Sequence, residues 1–424
     1  MEGPPLKYGA PMSRRRRALL GVLVAPLLVL GFGWPGPSVS GAPGTASVGE
    51  QVGLQAAIPA HLPGGGPARR APVKALPGHA FFNDPLGKRT AQFRLVHHIN
   101  EAIRRAVPGS TIRLAEYSFA MPSTATALIN AHRRGVSVQV VVDGHAARWK
   151  SVRRVRAELG IHPHHRSFLK TCHRSCRGSS GNQHAKFITF SDVGHRRDLV
   201  MIGSVNFTKF NARKQWNDLY SVQDPRLYRQ VTRWFRLMKL DRPQSELRMR
   251  GAGEGMRMVI SPLPDGPKAV DPIAQRLAHV HCTGARHAGD RRHRTVIRIA
   301  MHAWNGSRGL ELAHQVIRLD GQGCNIKVLY GVGIGRQVKN LLVRAGVRAL
   351  NSDDSGRRVH EKVMVLSGVL GKDRSANFVW TGSHNWTNRS LVNDEVILRI
   401  EGDRLVRAYL RNFHTMWSLV APRK

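Results

Sequence analysis

Two short stretches set an imidazole beside an ammonium. "NQHAKFITFS" (182–191) carries His184 and Lys186, and "RVHEKVMVLSG" (358–368) carries His360 and Lys362. On an extended chain residues i and i+2 face the same way, so each His projects together with its Lys. With 21 His and 15 Lys in 424 residues, about one H-x-K is expected by chance. A lone pair would read as a solvated strand end. Here each pair leads into an apolar run. A Gly-Ser-x-Asn turn follows each, "GSVNFT" (203–208) and "GSHNWT" (382–387), and then "WNDLYSV" (216–222) or "VNDEVIL" (392–398). Four elements in the same order, twice, mark a duplication.

The doubled set suits a phosphate diester. Lys186 and Lys362 can neutralise the non-bridging oxygens, and Asn206 and Asn385 can donate to them. Ser204 and Ser383, in the same turns, are candidate substrate-binding groups. One neutral His can attack phosphorus while the other, protonated, gives its proton to the leaving oxygen. An ordinary imidazole pKa of about 6.5 serves both roles near neutrality. Fixed cations stand where a divalent ion would, so neither metal nor cofactor is expected.

Regular elements must position these groups. Residues 91–110 carry apolar side chains at 93, 95, 96, 99 and 103, a helical spacing ended by Pro108-Gly109. A strand ("TIRLAEYSF"), a helix near 123–134 and a strand over 136–144 follow. The second half repeats the order with a helix over 270–281, a strand over 295–304, a helix near 309–320 and a strand over 324–331. The fold expected is α/β: two similar halves with mostly parallel sheets, related by a pseudo-two-fold axis with the active site between them. The boundaries drawn are a signal peptide over 1–42, a Gly/Pro/Ala-rich linker over 43–78, a first half over 79–250 and a second over 251–424.

The paired motifs resemble those of the phospholipase D superfamily, H-x-K-x4-D followed by G-S-x-N, over about residues 79–420. The resemblance implies a covalent phosphohistidine that water or an alcohol resolves. His184 and His360 would be the catalytic pair, with His184 the nucleophile, and Lys186, Lys362, Asn206 and Asn385 would bind phosphate. Where the family has Asp five residues after Lys, this chain has Ser191 and Ser367, with Asp192 one position later. A catalytic His also wants a carboxylate on its other nitrogen. Asn393-Asp394-Glu395 resembles the family's N-x-E element, which makes Glu395 a candidate, and Asp218 is the only carboxylate of the matching first-half run. The alternative for both acids is a strand-edge charge paired with an Arg. Asp143 could face the cleft or form a turn. Trp304 and Trp386 could line a substrate mouth or sit in the core.

Composition narrows the partners. Lys and Arg total 66 against 27 acids, a net charge of +39. Phospholipid at a membrane surface and nucleic acid both suit that charge. Arg14–Arg17, the apolar stretch 18–32 and the small residues after it read as an export signal. A secreted monomer is expected, with an uncleaved N-terminal anchor as the alternative. Cys172, Cys176, Cys282 and Cys324 in an exported chain suggest two disulfides. The local pairing 172–176 and 282–324 is preferred among three, with zinc near His173 as the competing reading. Three functions remain: an exported phospholipase D, an exported metal-independent nuclease, and a degenerate homologue that binds anionic surfaces. A membrane-held cardiolipin synthase is disfavoured, because no later stretch is apolar enough to span a bilayer.

Overall fold

The computed structural model describes residues 75–244, 249–263 and 270–422. The expected signal segment, and the linker up to residue 74, lie outside the described residues. The first half runs β1 (Leu76–Phe82), α1 (Arg94–Arg105), β2 (Thr111–Glu116), α2 (Pro122–Arg133), β3 (Ser137–Asp143), α3 (Lys150–Leu159), β4 (Phe168–Cys172), β5 (Phe187–Asp192), β6 (Arg197–Gly203), β7 (Asp218–Gln223) and α4 (Pro225–Met238). The second half runs β8 (Met249–Gly253), β9 (Met256–Ser261), α5 (Pro272–Leu277), β10 (Val296–Asn305), α6 (Gly306–Gly321), β11 (Asn325–Ile334), α7 (Arg336–Arg344), β12 (Ala349–Asn351), β13 (Lys362–Leu370), β14 (Asp373–Gly382), β15 (Glu395–Glu401) and α8 (Asp403–Val420). Two boundaries move. β1 begins inside the expected linker, and β8 begins before residue 251, because each pairs with the sheet of its own half.

The periodicities explain the elements. In α1 the buried residues Leu95, Val96, Ile99, Ala102 and Ile103 recur at helical spacing. The chain then turns at Gly109, whose φ of +81° suits a residue without Cβ. β3, "SVQVVVD", carries four valines and is buried throughout except at Gln139, as a strand covered on both faces should be.

Both sheets are mixed and share one topology. The first has the order β1-β7-β6-β5-β2-β3-β4, and the second repeats it as β9-β15-β14-β13-β10-β11-β12 with β8 added outside β9. The βαβ units are parallel (β2 with β3, β10 with β11), while the strands bearing H-x-K and G-S-x-N meet antiparallel. Each half has an outer core of its own, under α1–α3 and under α5–α7. A third core is shared: α4 and α8, through Trp234, Phe235, Tyr409 and Phe413, pack with both sheets. Trp304 and Trp386 are the second of the two roles considered above. They are core residues, 0% and 2% exposed, with rings edge to face at 4.5 Å.

Cys172 is bonded to Cys176, and Cys282 to Cys324. The cysteines are thus spent as disulfides rather than as zinc ligands. The second bridge spans 42 residues and the first only 4. In the loop-entropy account these contribute about 4 and about 2 kcal/mol. Cys282→Ser should therefore lower Tm by about 5 °C and Cys172→Ser by about half as much. Thermal unfolding followed by circular dichroism tests this, and equal shifts would contradict it.

Candidate active site

The two H-x-K stretches reach the site on matching backbone ladders, each laid against the other half. His184 N–H donates to the carbonyl of Asp394 (3.1 Å), next to a bridge between Gln183 and Asp394. His360 N–H donates to the carbonyl of Trp216 (2.9 Å), next to the paired segments 358–359 and 215–216. Both imidazoles are thereby carried to the seam between the sheets.

The side chains repeat the crossing. His184 Nδ1 lies 2.9 Å from both carboxylate oxygens of Glu395, which is 0% exposed. His360 Nδ1 lies 2.9 Å from Oδ1 of Asn217. Asn211 Nδ2 donates to the same Asn217 oxygen at 3.0 Å, which fixes the amide as acceptor and assigns the His360 proton to Nδ1. The Nε2 of each ring is left for chemistry. Lys186 Nζ donates to the carbonyl of His184 (2.7 Å), and Lys362 Nζ donates to that of His360. Tyr117 and His302, at matching ends of β2 and β10, pack on His184 and His360 with centroids at 4.7 Å in each case.

Asp218 is not the orienting carboxylate that the sequence suggested. Strand register puts Leu219 opposite Gly203 and Ile397 opposite Gly382, so the counterpart of Glu395 is Asn217. The shared Asn-Asp dipeptides, which match Asn217 to Asn393, suggest an alignment two residues out. Asp218 instead accepts from Ser204 Oγ (2.7 Å), Tyr409 O–H (2.8 Å) and Thr381 Oγ1, the last two from the second half. Ser204 and Ser383 are also corrected. Both are 0% exposed, and each hydroxyl bonds the adjacent strand, Ser204 at Asp218 and Ser383 as acceptor from Val396 N–H (3.1 Å). They close the hairpins and do not face a substrate.

Asn206 and Asn385 lie at the turns as expected. Asn206 Oδ1 is buried without a protein partner, and Asn385 Oδ1 accepts from Ala303 N–H (3.2 Å). Arg308 holds the second turn through Asn385 O (2.6 Å) and His384 Nδ1 (3.1 Å), and is itself paired with Asp271. Ser191 accepts from Thr111 N–H (2.8 Å) and Ser367 from Gly289 N–H (3.0 Å), so at both positions the hydroxyl accepts a backbone hydrogen bond. Asp143 takes up the cleft side of its two readings in part. Its carboxylate accepts from Gln183 N–H (2.9 Å), next to His184, and from His145 Nδ1 (2.7 Å).

Burial dominates the electrostatics. It pulls His184 below the usual imidazole range, although Glu395 works in the other direction. It pulls His360 lower still, helped by Lys362, His302, Lys186 and His184. These mutual influences place both sets in one field. Burial lowers Lys186 to about 8 against the opposing charges of Glu116, Glu395 and Asp143. Burial would raise Glu395, but His184, His384 and Lys186 hold it ionised at about 2. The resting site therefore offers neutral imidazoles, one backed by a carboxylate and one by an amide. Tyr117, His302, Asn211 and Asn217 were not foreseen. The matching strand ends of β2 and β10 would have found the first two.

Comparison with known proteins agrees with this geometry. A family model described as "Cardiolipin synthase, PLD-like domain" matches residues 96–239 and 292–417. Mitochondrial cardiolipin hydrolase of Homo sapiens is 32% identical over 102 residues, 24% of this chain and 35% of that protein. The same-named protein of Xenopus tropicalis is 31% identical over 116 residues, 26% of this chain and 50% of that one. The chain thus spans a third to a half of the length of these relatives. Among solved structures, phosphatidylserine synthase of Haemophilus influenzae Rd KW20 superposes with a TM-score of 0.52 at 11% identity, over 78% of this chain and 85% of that one. Polyphosphate kinase from Porphyromonas gingivalis gives 0.50 at 16% identity, over 80% and 50%. Those two likenesses speak for the fold. With the family model covering both halves and both motif sets, the chain belongs to the phospholipase D superfamily.

Proposed function

We propose that the chain is an exported phosphodiesterase of phospholipase D type, which hydrolyses or transfers phospholipid head groups through a phosphohistidine on His184. One observation carries the reading: two imidazoles, His360 buried and His184 partly so, each tied back at Nδ1 by the opposite half and each with a lysine two residues on. His184 Nε2 attacks phosphorus, and the bond to the head-group oxygen breaks. His360 gives that oxygen its proton. Water or an alcohol then attacks the phosphohistidine, returns a proton to His360 and frees His184. Glu395 favours His184 as nucleophile, since a carboxylate supports the positive ring that attack creates. His360 is neutral at rest because burial and then cations depress it. The negative charge of a bound diester offsets those cations, so its proton enters with the substrate.

The name shared by the curated relatives, cardiolipin hydrolase, supports a lipid substrate. The net charge of +39 favours nucleic acid as the second reading. The deciding assay incubates the purified protein with phosphatidylcholine vesicles, cardiolipin vesicles and plasmid DNA, with and without EDTA. Lipid turnover unaffected by EDTA is expected. Cleavage of DNA alone would transfer the reading to a nuclease, and no turnover of any substrate would leave a binding protein. Collapse in EDTA with recovery on zinc or calcium would overturn the metal-independent steps.

His184→Ala and His360→Ala should each lower kcat by at least about a thousandfold, and the double variant should be no worse, because nucleophile and acid act as a unit. Near wild-type turnover in either single variant would refute the shared site. The pH profile supplies a further check. Lys186, pulled to about 8 chiefly by burial, is cationic below that pH and loses its charge above it. On a soluble diester kcat/KM should therefore fall as pH rises through about 8, and Lys186→Arg should move that limb upward. A profile flat to pH 10 would remove Lys186 from phosphate binding.

A further inference from the structure

The two halves differ most where α1 and α5 cover their sheets. α1 has 12 residues and lays Leu95, Ile99 and Ile103 on the first sheet. Its counterpart α5 has 6. The shorter helix leaves a cavity of about 760 Å³ on the second sheet, reached by Arg257, Arg276, Arg399, Trp380, Leu263 and Ile397. It lies apart from the catalytic pair: neither catalytic His nor either paired Lys lines it.

The lining is not what an accidental gap would carry. Arg257 stands directly opposite Arg399 across β9 and β15, and Trp380 stands opposite Arg399 across β14 and β15. Directly opposed residues in an antiparallel ladder share a face, and like charges there are destabilising. At the corresponding first-half positions the row is His79, Ser221 and Met201, with no such repulsion. Arg276 adds a third guanidinium from α5, and no acidic side chain lines the cavity among the described residues. Burial first, then Arg276 and Arg257, pull the Arg399 guanidinium below its ordinary range, with Glu401 acting the other way. Its Nε is buried without a hydrogen-bond partner, while its head stacks on Phe378 at 4.6 Å.

We propose that this cavity is a second ligand site, which takes the phosphate of an anionic phospholipid on Arg257, Arg276 and Arg399 and the start of its acyl chain on Trp380, Leu263 and Ile397. A phosphate removes the repulsion between the guanidiniums and can be held bidentately by each. The volume suits one head group with part of its chains. Val270, 58% exposed at the rim, gives the mouth an apolar lip where the rest of the lipid would lie. A free phosphate would use the arginines and leave the apolar wall idle. A nucleic acid strand would find a concave pocket with a single aromatic ring in place of a basic groove with stacking platforms.

The test uses the full chain carrying His184→Ala, so that turnover does not consume lipid, and titrates dihexanoyl phosphatidic acid by calorimetry. Adding Arg257→Gln and Arg399→Gln should remove one equivalent of binding, and unchanged stoichiometry would overturn the site. Inorganic phosphate should bind at least tenfold more weakly than the lipid at the affected site, and equal binding would overturn the lipid assignment. An oligothymidylate that loses affinity in the same variant, while the lipid does not, would assign the pocket to nucleic acid. In the wild-type background, Arg257→Gln should raise Tm without lipid by relieving the like-charge contact and leave turnover of a soluble diester unchanged. A lower Tm would identify Arg257 as an ordinary structural contact and overturn the proposal.

Discussion

The acceptor on His184 Nδ1 belongs to β15 of the second half, and the acceptor on His360 Nδ1 lies just before β7 of the first. Around this exchange the other features fall into place. Each H-x-K stretch must cross the seam to form its short backbone ladder, and each sheet must end its central strands at that seam. A displacement of either half would move both imidazoles at once, because each takes its aim from the other side. Such positioning matters since a shift of about 1 Å at a reacting centre can cost a hundredfold in rate.

The seam is held by more than apolar contact. α4 and α8 bury Trp234, Phe235, Tyr409 and Phe413 between the sheets. Inside that layer the Asp218 carboxylate accepts hydroxyl bonds from Ser204 of its own half and from Thr381 and Tyr409 of the other. A buried carboxylate left without such partners would be costly, so the three hydroxyls must be present together. The group that the motif suggested as a catalytic support is one of the pins on which the two halves register.

The sequence made the architecture legible because duplication printed it twice. The two H-x-K pairs, the two G-S-x-N turns and the matching apolar strands located His184, Lys186, His360, Lys362, Asn206, Asn385 and Glu395. What it obscured depends on register. The Asn-Asp dipeptides at 217–218 and 393–394 align by identity, yet pairing across the strands offsets them by two residues and sets Asn217 in the place of Glu395, and neighbours along a strand face opposite ways. Asp218 therefore turns toward the shared core, while Asn217 meets the imidazole. Ser204 and Ser383 were misplaced for a similar reason, since motif membership does not say which way a hydroxyl points. The crossing of partners between halves is a property of three-dimensional docking that no local pattern records.

The Cys172–Cys176 bridge closes a loop whose Ser175 hydroxyl and Cys176 N–H bind the Asp394 carboxylate, and the carbonyl of Asp394 receives His184 N–H. Burial pushes that carboxyl up to about 7, so the two donors hold a group with little charge of its own to spare. The path from sulfur to imidazole is two short steps through one residue. In surroundings that keep thiols reduced, the loop would gain freedom and Asp394 would lose its fixed donors. The aim of the His184 imidazole thus rests in part on a bridge that reducing surroundings would open.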